Sequence, residues 1–160
     1  NPDTDIKKIL EFAKSKKSFM QVVNCRAIAS SEQLIFALEQ AFDSFEQKSN
    51  FAKTPEMEFL IRLSGQRQIG KALEIFSLLE GTNNVWVVIA TENEIEKVSK
   101  ESIEFLAENF SFSKLTEPKH SKQQLEEIKK IYRITTKAQL IGFSAEDLII
   151  EKIAMVELEK

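Results

Sequence analysis

Apolar residues recur at helical spacing from the start of the chain. Ile6, Ile9, Leu10 and Ala13 share one face, Asp3 or Thr4 stands where a cap belongs, and the basic stretch Lys14 to Ser18 ends the helix as a solvated terminus. Phe19 to Ala29 is rich in Val and Ile and contains no turn residue, which predicts a strand running into a helix. Ser30 and Gln33 have the spacing of a capping box for that helix. Leu34, Leu38, Ala41, Phe42 and Phe45 form its apolar stripe, and it ends by about Lys48.

Between Glu56 and Ser64 the period shortens to two. Met57, Phe59, Ile61 and Leu63 point one way and Glu58, Leu60 and Arg62 the other, which predicts a strand with one core face. Gly65 then turns the chain. Ile69, Ala72, Leu73, Phe76 and Leu79 mark an amphipathic helix stopping at Gly81. Val85 to Ile89 is continuously apolar, as in a strand buried on both faces at the centre of a sheet.

A helix from about Asn93 to Asn109 turns Ile95, Val98, Ile103, Leu106 and Phe110 inward. After a polar linker around Pro118, Leu125, Ile128, Ile131 and Tyr132 mark a shorter one. Ser144-Ala-Glu-Asp reads as a further capping box, opening a last helix with Leu148, Ile149, Ile153 and Ala154 inward. Helices and a few strands interleave without repeats or a break in composition. The predicted fold class is α/β (α+β): one domain over residues 1–160, with a small mixed sheet of three to four strands covered by several helices.

Composition agrees with one globular core. The chain has 160 residues, 42% hydrophobic and 29% charged, enough to bury a core without staples. A lone cysteine, Cys25, has no internal partner for a disulfide and fits a reducing compartment, so a cytoplasmic protein is expected. No apolar run reaches the roughly 18 to 20 residues of a membrane span, and the N-terminus lacks a signal-peptide pattern. No membrane partner is expected.

Charge excludes a polycation. The net charge is -3, with 11 basic and 11 acidic residues up to position 80, and 11 and 14 beyond it. A local basic patch survives between Lys48 and Lys71, where Lys48, Lys53, Arg62, Arg67 and Lys71 face only Glu56 and Glu58.

Gly65-Gln-Arg-Gln-Ile-Gly70-Lys71 satisfies G-x-x-x-x-G-K between a predicted strand and a helix, where a P-loop belongs. The next residue is Ala72, so the hydroxyl that would ligate magnesium is missing, and the strand ending Ala90-Thr91-Glu92 has no aspartate at its tip. Cys25 reads as a small hydrophobe facing the core from a strand, and His120 lies in a Lys-rich linker, so neither a Cys-His nucleophile nor a zinc site is available. No G-x-S-x-G hydrolase motif is present. No catalytic residue, metal or cofactor is assigned, and the protein is expected not to be an enzyme.

The loop keeps a binding character. Gln66, Arg67 and Gln68 put three long hydrogen-bonding side chains beside Lys71, with Arg62 on the preceding element. Such groups hold phosphates or base edges; the bland alternative is an Arg67 paired with a surface carboxylate and solvated glutamines.

The run Met57-Glu-Phe-Leu-Ile-Arg-Leu-Ser-Gly-Gln-Arg-Gln-Ile-Gly-Lys-Ala-Leu73 resembles the archaeal members of the TPRKB family, the kinase-associated subunit of the KEOPS (EKC) complex. Ile28-Ala-Ser with the helix through Ala41, Ile128-Lys-Lys-Ile-Tyr-Arg-Ile134 and Ile150-Glu-Lys-Ile-Ala-Met-Val156 fit in order. The likeness covers about Ile6 to the C-terminus. Gly70-Lys71 departs from it, where a residue of higher helical propensity is expected: the glycine either is helical, at a cost of about 1 kcal/mol against alanine, or lies in the turn and moves Lys71 toward the ligand.

The resemblance implies a non-catalytic protein that binds the small atypical kinase, or ATPase, of KEOPS and helps deliver tRNA for threonylcarbamoyladenosine synthesis. The tRNA's single-stranded 3′ CCA end is the implied handle, and a short unstacked tail needs only a few donors and an apolar platform. Chemistry then assigns Arg62, Arg67 and Lys71 to phosphates, Gln66 and Gln68 to base edges or sugars, and Lys53 to the same ligand, with Asn50 and Phe51 as lesser candidates. For the kinase surface, Ile75 and Leu78, off the main stripe of their helix, are preferred to Ile69 and Leu73, together with Ile150 and Met155. Two alternatives stand beside this: a nucleotide-binding protein using Gly65 to Lys71 as a degenerate P-loop, and a kinase adaptor that makes no RNA contact.

Overall fold

The computed structural model describes residues 2–79, 81–82, 84–110, 119–134 and 144–158. In chain order it gives α1 (Pro2–Ser15), β1 (Phe19–Asn24), a 3-10 turn (Cys25–Ala27), α2 (Ser31–Glu46), α3 (Pro55–Ser64), α4 (Ile69–Phe76), β2 (Val85–Ala90), α5 (Ile95–Phe110), α6 (Lys122–Ile131) and α7 (Ala145–Leu158). They fall into two compact units, residues 1–23 with 78–119 and residues 24–77 with 120–160. The linker around Pro118 lies outside the described residues.

The first unit pairs β1 with β2. Ser18 Oγ donates to Thr91 Oγ1 at 2.9 Å, so the start of one strand meets the end of the other and the pair is antiparallel. Val85, Val87 and Ile89, on one face of β2, join Met20 and Val22 of β1, Ile9 and Ala13 of α1 and Leu106 of α5 in one apolar cluster. Phe12 and Phe105 stack across it with ring centres 4.2 Å apart. α1 begins at Pro2, so Asp3 and Thr4 lie inside the helix and not ahead of it. Ile95 and Ile103 of α5 are exposed, whereas Val98, Ser102 and Leu106 are buried.

The predicted three to four strands reduce to this one two-stranded sheet among the described residues. Only Val88 of β2 is buried, so the strand is a half-covered member of a pair and not a central one. Cys25 sits in the 3-10 turn, half-buried, with its thiol pushed above its usual range by desolvation.

The second unit is helical and built around α3. Residues 56–64, predicted as a strand, form this helix instead. Thr54 caps its N-terminus by accepting from the Met57 N–H, Pro55 occupies the first turn, Glu56 and Glu58 face the positive end of the helix dipole, and Gly65 closes it at φ 65°. From Glu58 to Ser64 every residue is buried, so apolar side chains are tolerated all round and the helical period is masked. Phe59, Ile61 and Leu63 are wholly enclosed.

Ser30 caps α2 through the Gln33 N–H, and Ser121 with Gln124 forms a reciprocal capping box on α6. Ser144 Oγ accepts from the Asp147 N–H at 3.1 Å and so caps α7, whose Ile149, Ile153 and Val156 are buried. A polar lock crosses the interior: Gln33 Nε2 donates to the Tyr132 hydroxyl at 2.5 Å, and that hydroxyl donates to the Leu63 carbonyl at 2.7 Å. Burial raises the Tyr132 pKa far above its usual value, against a smaller opposing effect of the Gln33 bond.

Candidate functional site

Gly65 is where the chain leaves α3, and its left-handed backbone is one that a side chain disfavours by about 1–2 kcal/mol. The Ser64 hydroxyl accepts from the Gln66 N–H at 3.2 Å, tightening the turn. α4 begins at Ile69 after Gln68, which makes no side-chain capping bond. Gly70 is the second residue of α4, and nothing lies within 4 Å of where its Cβ would be. Gly65 to Lys71 therefore joins two helices, not a strand and a helix, and the P-loop setting is absent.

Arg62 is not at the surface the sequence reading gave it. Both it and Glu58 have 0 % side-chain exposure. Their charges are paired because α3 sets them one turn apart: Arg62 Nε donates to Glu58 Oε1 at 2.9 Å, and Arg62 Nη1 donates to Glu157 on α7. Glu58 Oε1 also accepts from Ser44 Oγ at 3.2 Å. Its Oε2 accepts the backbone N–H groups of Phe51 and Ala52, each at 2.8 Å. One buried carboxylate thus anchors the loop before α3 to an arginine inside it.

That loop carries the aromatic group of the site. Phe51 is half-buried and packs on a cluster of Ala52, Ile61 and Val156. The guanidinium carbons of Arg62 and Arg67 each lie 4.9 Å from the centre of its ring. Arg62 Nη2 has no hydrogen-bond partner among the described residues, and the ring face offsets part of that deficit. Arg67, by contrast, is exposed.

Of the residues chosen from sequence, Lys53, Arg67, Gln68 and Lys71 are exposed and Gln66 is half-buried. Phe51 joins Arg67 directly, and Asn50 steadies the loop by donating to the Ala52 carbonyl at 2.8 Å. Lys152 of α7, which the sequence does not single out, is an exposed cation beside this turn, its Cβ 3.4 Å from where a Cβ at Gly65 would stand. No signal within the local sequence points to it, since it lies far along the chain. The Glu58-Arg62 spacing of four was visible, but only a helical reading of that segment gives it meaning.

The apolar candidates separate. Ile75 is half-buried in the second unit, and its carbonyl accepts from Asn24 Nδ2 at 2.8 Å. Leu78 packs against the core of the first unit. Ile69 is 39% exposed, so it faces solvent and not the core as its place in the stripe predicted. α4 stops at Phe76, five residues before the predicted stop at Gly81, and leaves Leu79 in solvent. On α7, Ile150 is half-buried and Met155 is 44% exposed. Five residues of helix set those two about 140° apart, so they do not form one face.

Among the described residues no group of three or more His, Cys, Asp or Glu is placed to hold a metal. No described helix is long and apolar enough to cross a membrane.

Residues 1–157 match the family described as kinase binding protein CGI-121. The regulatory protein Cgi121 of Methanocaldococcus jannaschii is 31% identical over 141 residues, which is 88% of this chain and 84% of that protein. The KEOPS complex subunit Cgi121 of Pyrococcus abyssi is 37% identical over 62 residues, 38% of this chain and 36% of that protein. Coverage of nearly the whole chain by the family and of most of it by the first relative leads to one conclusion: this chain belongs to the CGI-121 family of kinase-binding proteins.

Proposed function

We propose that this protein is a non-catalytic, cytoplasmic KEOPS subunit that binds the complex's small atypical kinase and recruits tRNA by its single-stranded 3′ CCA end, in support of threonylcarbamoyladenosine synthesis. The kinase and complex parts rest on the family's description and on the relatives' names. The RNA part rests on one observation: the exposed Arg67 guanidinium held against Phe51, with Lys53, Gln68 and Lys71 exposed on the flanking loop and helix start. A planar cation on an aromatic ring, with a few further donors, suits an unstacked tail and needs no broad basic face. A net charge of -3 is compatible with that grip.

The test is a titration of the purified protein with a short single-stranded RNA ending in CCA. Saturable binding that weakens in Arg67→Ala is the expected result. Kinase association without RNA binding would leave the adaptor alternative in its place.

A further inference from the structure

The Phe51 loop is fixed from beneath before any ligand arrives. The Phe51 and Ala52 N–H groups are held by the buried Glu58 carboxylate, and the Phe51 ring lies against the guanidinium of Arg62, itself held by Glu58 and Glu157. The same ring carries the Arg67 guanidinium at 4.9 Å. An exposed arginine ordinarily loses much side-chain freedom when it grips a ligand. Here the guanidinium already rests over the Phe51 ring.

We infer that Phe51 is a positioning residue that presents the Arg67 guanidinium as a preformed flat face on which a nucleobase of single-stranded RNA stacks. This deepens the RNA reading above and rests on it. Arg67 then works by its planar shape as well as its charge. A lysine in its place keeps the charge and loses the plane, because an ammonium is a compact point charge with no flat face. Leucine in place of Phe51 preserves apolar packing on Ala52, Ile61 and Val156 while removing the ring.

The experiment titrates the full chain with a fluorescently labelled single-stranded RNA ending in CCA, at several salt concentrations, using wild type, Arg67→Lys, Arg67→Ala and Phe51→Leu. Both Arg67→Lys and Phe51→Leu should weaken binding about tenfold, the order of one lost base stack. The slope of log affinity against log salt should stay at the wild-type value in both, because the number of cations is unchanged; in Arg67→Ala it should become shallower by about 0.7. In the free protein, the Arg67 Nε–H resonance should carry a ring-current shift that disappears in Phe51→Leu, a signature that loss of stability alone does not produce. Wild-type affinity in Arg67→Lys or in Phe51→Leu would overturn the stacking role while leaving the RNA reading intact. No binding by wild type would overturn both.

Discussion

Arg62 Nε donates to Glu58 Oε1 at 2.9 Å, four residues apart on α3, with neither side chain reaching solvent. Their nearness in the sequence hides how differently Arg62 and Arg67 behave. The first is part of the interior, and the second is the exposed cation of the candidate site.

Arg62→Ala should therefore destabilise the fold by about 3–5 kcal/mol, since it takes the paired positive charge from a buried carboxylate and leaves that carboxylate only neutral donors. Arg67→Ala should cost no more than about 1 kcal/mol, the worth of an exposed cation on a ring. Urea denaturation of the two variants checks this. Equal, small losses would place Arg62 at the surface and contradict the buried pair.

Much of the fold was legible from chain patterning, and the failures have physical causes. α2, α5 and α7 each bury one stripe, so their period survives in the sequence even though Phe42, Ile95 and Ile103 are exposed, and Ser30 and Ser144 mark two of their starts; α6 buries Ile128 but leaves Leu125 in solvent. α3 buries every residue from Glu58 to Ser64, which erases the polar face that identifies a helix. Its end signals remained: Thr54-Pro55 at the start, Gly65 at the end, and Glu58 to Arg62 at one turn's separation. Arg67, Gln68, Lys71 and Lys53 can be picked out as candidates because their long polar side chains cluster locally in the sequence, and all four are exposed. The pairing of Phe51 with Arg67, and Lys152 beside Gly65, depend on packing between segments distant in sequence.

Tyr132 gives the protein an alkaline limit. Its hydroxyl is buried and its pKa is raised, so above about pH 10 the unfolded chain releases this proton first. The stability it contributes is complete below pH 10 and is lost as pH rises beyond it, by about 1.4 kcal/mol at one pH unit above. Unfolding free energies at pH 9 and pH 11 should differ by that much more in wild type than in Tyr132→Phe. Equal differences would show the hydroxyl to be solvated.

Nucleotide should not bind through Gly65 to Lys71. The segment links two helices and is followed by Ala72, so neither the phosphate cradle of a strand-to-helix loop nor a magnesium-ligating hydroxyl is supplied. Calorimetric titration with ATP or GTP, with and without magnesium, should give no heat of binding. Magnesium-dependent binding lost in Lys71→Ala would contradict this.

Kinase association should survive high salt, because burial of apolar surface is little screened. Charge changes at Arg67 and Lys71 should leave it unaltered. Ile75→Glu, Ile150→Glu and Met155→Glu test the candidate surface in pull-downs with the kinase, alongside a check of folding by circular dichroism. Unchanged affinity in all three folded variants would move the interface elsewhere.

If the Phe51-Arg67 site holds a tRNA tail and not duplex charge, a gel shift of the protein with one tRNA, prepared intact and trimmed of its 3′ CCA, will separate the two forms. Trimming removes the proposed ligand while leaving nearly all duplex phosphates. Intact tRNA should bind with a shallow salt slope of about -0.7 per phosphate held and should weaken by about 1–3 kcal/mol in Arg67→Ala, whereas trimmed tRNA should bind poorly and be indifferent to that substitution. Equal affinity for the two tRNAs would mean that the site does not hold the tail.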